Sequence, residues 1–243
     1  MKHEAKALID AEQKRVTFGA VIKNQRAKAM LRVNEVYFSI QGESTYTGLP
    51  CLFVRLTGCN LRCTWCDTEY GYYEGKERSI ESLIEELTKL SPECKLVEIT
   101  GGEPLSQSEC STLVETLLEK GYNVLIETSG SIDISTVSDQ AVRIVDMKCP
   151  ASGMVEKNDY ENLNRLTKTD EVKFVIADKN DFDWSIKLIK EYNLCEKVTV
   201  LISPVFEKIG LQTLAELVIE SKLPIRMQTQ LHKYIWAPEQ TGV

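Results

Sequence analysis

The chain has 243 residues, 43% of them hydrophobic and 27% charged, with a formal net charge of −7. That length and balance fit one large soluble domain with a substantial core. The acidic charge argues against broad nucleic-acid binding, while leaving room for a local basic pocket that takes a small anion. No apolar run reaches the length of a membrane span.

Residues 1–29 read as a peripheral N-terminal extension. Ala5, Leu8, Ile9 and Ala11 give a weak helical stripe, and no site motif falls there. Met30 stands directly before the first strong strand pattern. The stretch from Met1 to Arg15 carries Glu4, Asp10 and Glu12 and lacks the apolar segment of a secretory signal. With eight cysteines and no such signal, the expected compartment is the reducing cytoplasm. Residues 30–243 are expected to form one domain.

From Leu31 onward, strand and helix patterns alternate. Leu31 to Phe38 and Cys51 to Leu56 read as strands. Ser79 to Leu90 is helical, with Ile80, Leu83, Ile84, Leu87 and Leu90 on one face. Leu96 to Thr100 is a strand, and Ser108 to Lys120 a helix that Gly121 stops. Strands follow at Asn123 to Glu127, Arg143 to Met147 and Val172 to Ala177. A helix around Phe182 to Tyr192 leads to a strand at Val198 to Ile202. A helix at Leu211 to Ser221 and a strand at Pro224 to Gln228 complete the series. Asp133–Val142 and Asn158–Leu166 read as short helices.

This alternation implies crossover connections and a mostly parallel sheet. Small and polar residues collect after successive strands: a cysteine loop after Leu56, Thr100-Gly101-Gly102-Glu103-Pro104, Glu127-Thr128-Ser129-Gly130, Asp146-Met147-Lys148 and Ser203-Pro204. The C-terminal ends of parallel strands are where α/β folds place their sites. The βα units are too few for a closed eight-fold barrel. The expected fold is therefore α/β, an incomplete (β/α) barrel.

The most informative residues are Cys59, Cys63 and Cys66, spaced C-x3-C-x2-C. A four-iron cluster takes four thiolates, so three leave one iron open to a small molecule. A structural zinc site is closed and four-coordinate. Its fourth ligand could be Cys51, Cys94, Cys110 or Cys149, none of which forms a second C-x2-C pair. A disulfide framework suits an exported chain better than this one. The paired glycines of Gly101-Gly102 let backbone approach a ligand closely.

The cysteine spacing and the Gly-Gly-Glu run one strand later resemble the radical S-adenosylmethionine (SAM) superfamily. More specifically, Asn34-Glu35-Val36-Tyr37-Phe38-Ser39-Ile40-Gln41-Gly42-Glu43, the cysteine triad, Cys66-Asp67-Thr68 and Gln230-Leu231-His232-Lys233 resemble its 7-carboxy-7-deazaguanine synthase family. The likeness covers nearly all of residues 31–243. It implies a catalytic domain of the incomplete-barrel type, with a [4Fe-4S] cluster on Cys59, Cys63 and Cys66 and SAM on the open iron.

A radical made from SAM would take hydrogen from a carboxylated tetrahydropterin, whose ring contracts to a 7-deazapurine with loss of ammonia. The hydrogen then returns and SAM is regenerated. The implied SAM contacts are Trp65, Cys66, Asp67, Gly102, Glu103, Ser129, Asp146, Met147, Lys148 and Ser203. The implied substrate contacts are Ile40, Gln41, Gly42, Glu43, Arg55, Thr100 and His232. Thr68 matches a Mg2+ ligand, and hard oxygen donors suit that ion. The resemblance also implies a homodimer and an electron donor of the flavodoxin or ferredoxin type. A different radical SAM enzyme, such as a glycyl-radical activase, is disfavoured by the Phe38–Glu43 segment and by the lack of further ferredoxin-like cysteines. Nothing in the sequence supports or excludes a second, non-enzymatic binding role.

Overall fold

The computed structural model describes residues 29–243. The helical stripe expected near the N-terminus lies outside these residues. Ala29 accepts a hydrogen bond from Ile80 N at 3.1 Å and packs against the core.

The described residues form a nine-stranded sheet in the order β3-β1-β2-β4-β5-β6-β7-β8-β9. β1 (Met30–Ile40) pairs antiparallel with β2 (Pro50–Leu56) and with β3 (Lys76–Ser79). From β2 onward every neighbour is parallel: β4 (Leu96–Gly101), β5 (Asn123–Thr128), β6 (Val142–Met147), β7 (Glu171–Ile176), β8 (Thr199–Pro204) and β9 (Arg226–Met227). β3 and β9 are the two edges, so the barrel is open, as expected.

The crossover helices are α1 (Ile80–Leu90), α2 (Cys110–Glu119), α3 (Asn162–Arg165), α4 (Lys179–Glu191), α5 (Leu194–Lys197) and α6 (Leu211–Ser221); α7 (His232–Ile235) ends the series. α1 starts where Ser79 accepts from Ser82 N, and α4 where Asp178 accepts from Asp181 N. α2 ends at Gly121, whose φ of +78° is one an L side chain resists.

Strand parity sorts the core. Leu52, Val54 and Leu56 of β2, Val97 and Ile99 of β4, and Val124 and Ile126 of β5 pack outward with α1 and α2. Val145 and Met147 of β6, Val172, Phe174 and Ile176 of β7, and Val200 and Ile202 of β8 form a second cluster with α4 and α6. Each large aliphatic side chain buried this way contributes about 1.5–3 kcal/mol. On the opposite, inner face, Cys51, Phe53, Leu96, Leu125 and Ile144 close the bottom of the barrel. The inner positions one step further along these strands are polar.

Three expectations fail locally. Within Asp133–Val142 only one 3-10 turn forms, Ile134–Thr136, because Asp133 caps Ser135 N in a tight turn and β6 already begins at Val142. Helix in Asn158–Leu166 shrinks to Asn162–Arg165, since the Asn158 side chain instead exchanges hydrogen bonds with the Lys148 backbone. The last strand, expected at Pro224–Gln228, pairs only over Arg226–Met227. β3, Lys-Glu-Arg-Ser, was not expected, because a charged edge strand carries no hydrophobic period.

Candidate active site

The strand ends open into one cavity of about 580 Å³. One wall is the cysteine loop after β2. Gly58 takes φ +102°, accepts from Glu103 N at 2.9 Å and donates to Gly71 O at 2.9 Å. The Gly101-Gly102 turn lies directly on this loop. A Cβ at Gly102 would fall 2.5 Å from Cys59 Cβ and 2.6 Å from Gly58 O, and one at Gly101 2.4 Å from Leu56 O. Both glycines are therefore demanded by close backbone approach.

Further along, Thr64 is tied to the turn after β6 by N to Ser152 O at 3.1 Å and Oγ1 to Ala151 O at 2.9 Å. Leu61 is fully buried and anchors the loop. Cys59, Cys63 and Cys66 all line the cavity as free thiols. Burial pushes the Cys59 and Cys63 thiols up, partly opposed by Lys148. Among the described residues, no three His, Cys, Asp or Glu side chains converge on one ion-sized position.

The second wall is polar. Asp146 pairs with Lys148 at 2.7 Å. Lys173 bridges Glu127 and Glu43, the latter at 3.1 Å. Gln41 donates to Glu98 and accepts from Glu43 N. Burial, and then the nearby Glu127, push Glu98 up to about 8. At the β1–β2 side, Arg55 stands between Tyr37 and Tyr70. Over the mouth, α7 is held by Leu231 N to Gly42 O at 2.9 Å and by Lys233 to Asp67 at 2.6 Å. His232 occupies the space that a Cβ on Gly42 would need, 2.2 Å from its Nδ1. Burial holds His232 below its ordinary pKa, with Lys233 acting the same way.

Nearly every residue singled out from the sequence lines this cavity: Ile40, Gln41, Gly42, Glu43, Arg55, Trp65, Asp67, Thr68, Thr100, Gly102, Ser129, Asp146, Lys148, Ser203 and His232, beside the three cysteines. Two side chains do not. Met147 has the outward parity of Val145 and is fully buried in the second cluster. Glu103 is fully buried beneath the turn. Its carboxylate accepts from Leu105 N at 2.9 Å, Ser129 N at 2.7 Å, Thr128 Oγ1 at 2.9 Å and Ser129 Oγ.

Glu98, Glu127 and Lys173 also line the cavity but were not singled out. The signal was present: each is a charged residue inside an otherwise apolar run, in Leu-Val-Glu-Ile, Leu-Ile-Glu-Thr and Val-Lys-Phe-Val. A charge at an inner position of a parallel strand needs a partner.

The cavity fits a four-iron cluster and SAM on two grounds. It presents three thiols with space beside them, and two of its buried polar atoms, Asp146 Oδ1 and Ser203 Oγ, have no hydrogen-bond partner in the protein. Such orphans point to a polar ligand. Comparison with known proteins agrees. Residues 53–218 match the Radical SAM superfamily, and the chain belongs to it.

The chain is 46% identical to the 7-carboxy-7-deazaguanine synthase of Koribacter versatilis, over 88% of this chain and 100% of that one. It is 37% identical to the synthase of Chlorobaculum tepidum, over 89% and 99%. The chain is a member of the 7-carboxy-7-deazaguanine synthase family. The crystal structure of QueE from Escherichia coli shares the fold, with a TM-score of 0.66 at 22% identity, covering 84% of this chain and 95% of that one.

Proposed function

We propose that this chain converts 6-carboxy-5,6,7,8-tetrahydropterin to 7-carboxy-7-deazaguanine with loss of ammonia, an early step toward queuosine and other 7-deazapurines. The observation that carries this reading is one cavity with a thiol wall on one side and an arginine-and-carboxylate wall on the other. When bound, the cluster and SAM supply the radical that takes hydrogen from the substrate and returns it.

Cys59, Cys63 and Cys66 hold the cluster. Trp65, Asp67, Gly102, Ser129, Asp146, Lys148 and Ser203 hold SAM, the last three through groups that face the cavity. Glu103 serves that pocket indirectly, by fixing Ser129 and Thr128. Arg55 takes the substrate carboxylate in a charge-assisted pair. Ile40, Gln41 and Gly42 lie along the flat heterocycle, with Thr100 and His232 beside it. Glu43 and Glu127 accept from its ring N–H groups, and Lys173 bridges the two carboxylates. Thr68, together with the substrate carboxylate, would hold a Mg2+ ion, so Thr68→Ala should blunt the magnesium response.

The reading extends to a homodimer in the cytoplasm, reduced by a flavodoxin- or ferredoxin-type donor. Among the described residues no helix is long and apolar enough to cross a membrane. A chain beginning at Met30 should keep its activity.

The test is anaerobic. The reconstituted protein is given SAM, reductant, Mg2+ and 6-carboxytetrahydropterin, and the product is read by mass spectrometry. The deazaguanine acid with little net SAM consumption is expected. SAM cleavage without that product would discard the substrate and keep the superfamily chemistry.

A further inference from the structure

We infer that Glu35 is a positioning residue that aims Arg55 at the substrate carboxylate, and so sets the preference for a carboxylated pterin. This rests on the substrate reading above. The argument begins with the backbone. β1 and β2 pair Val33 with Leu56 and then Glu35 with Arg55, so Asn34 is an extra residue, a bulge. The Asn34 side chain closes the irregularity by donating to Tyr70 O at 3.3 Å and Glu74 O at 3.0 Å. The bulge brings Glu35 directly opposite Arg55, where the two side chains meet.

The pairing is directional. Glu35 Oε1 accepts from Arg55 Nε at 2.7 Å and from Tyr70 OH at 2.9 Å. Arg55 Nη2 donates to Tyr37 OH at 3.1 Å, and the Tyr37 ring stacks on Phe53 at 4.8 Å. Nε and one Nη2 hydrogen of the guanidinium are therefore used inside the protein. Nη1 makes no hydrogen bond among the described residues and is left to donate to a ligand carboxylate.

Arg55, Tyr37 and Tyr70 line the cavity, whereas Glu35 stands behind them. The side chains of Glu35 and Arg55 are only 18% and 14% exposed, so water does little to hold the pair. A Cβ at Gly71 would sit 3.8 Å from Arg55 Cδ and 3.4 Å from the Thr68 methyl, which places this corner beside the cysteine loop.

The experiment uses the reconstituted holoenzyme with Glu35→Gln, Glu35→Asp and Tyr70→Phe. It reads KM for 6-carboxytetrahydropterin and the inhibition constant of 6-methyltetrahydropterin, which lacks the carboxylate. Glu35→Gln should raise KM roughly tenfold or more, the scale of a misaimed contact. The inhibition constant of the methyl compound, the cluster absorbance and substrate-free SAM cleavage should stay at wild-type values. Glu35→Asp should fall between, and Tyr70→Phe should raise KM severalfold.

An unchanged KM in Glu35→Gln overturns the inference, as does an equal loss for both pterins, which would mean general loosening. If Glu35→Gln does not fold, an unchanged KM in Tyr70→Phe overturns it. Should wild type cleave SAM but leave the carboxylated pterin untouched, the substrate reading fails and this inference falls with it. Normal wild-type turnover beside an indifferent Glu35→Gln removes only the role of Glu35.

Discussion

The two walls of the cavity are built by different physics. The cysteine wall is held by backbone: Gly58 to Gly71, Gly58 to Glu103, Thr64 to Ser152, and two glycines pressed against main chain. The polar wall is held by side chains that reach across strands, such as Lys173 to Glu127 and Glu43, and Gln41 to Glu98. Backbone close packing tolerates no substitution, so the first wall is written in short fixed motifs. Charge networks need only complementary partners within reach, so the second is scattered over the loop after β1 and over β4, β5 and β7.

The comparison can be broken in several places. The largest effect is expected from alanine at Cys59, Cys63 or Cys66, which should abolish cluster absorbance and SAM cleavage. Gly102→Ala tests the backbone wall without removing a thiol. Its new Cβ would overlap Cys59 Cβ and Gly58 O, and overpacking of this kind costs about 1–3 kcal/mol. Iron and sulfide content should fall and the denaturation midpoint should drop; full iron content would show that the loop yields freely.

Arg55→Ala tests the polar wall and should spare the cluster. A lost charge-assisted hydrogen bond is worth about 1.5–3 kcal/mol, a rise in KM of roughly tenfold to 150-fold. Normal substrate affinity would remove the carboxylate contact.

The smallest effect concerns pH. Glu98 has its pKa raised to about 8 by burial and by Glu127. A carboxyl raised in the folded state contributes stability that is complete below its ordinary pKa and is lost as pH rises from there to the raised value. Glu98→Gln stays neutral, so its denaturation midpoint should gain on wild type between about pH 4.5 and about pH 8 and level off above that. A constant difference across that range would mean that Glu98 is ionised throughout.

Where a side chain singled out from the sequence does not line the cavity, the departures share a cause. Met147 belongs to a strand-end run that faces the site, yet its parity turns it to the core, because alternate residues on a strand point to opposite faces. Glu103 sits in a motif that touches the cavity, but its carboxylate is consumed by Ser129, Thr128 and Leu105. Motif position told which backbone comes near the cavity. It did not tell where each side chain points.

By itself the sequence determined the alternation of strands and helices, the open barrel and the thiol wall. These depend on local period, on turn residues and on spacing within a short loop, all of which are properties of contiguous chain. Only the tertiary structure decided the polar wall. Glu43 and Lys173, like Glu35 and Arg55, are brought together by strand order and by one bulge at Asn34. Pairing between distant strands is fixed by the register of the whole sheet, and no local stretch of sequence specifies it.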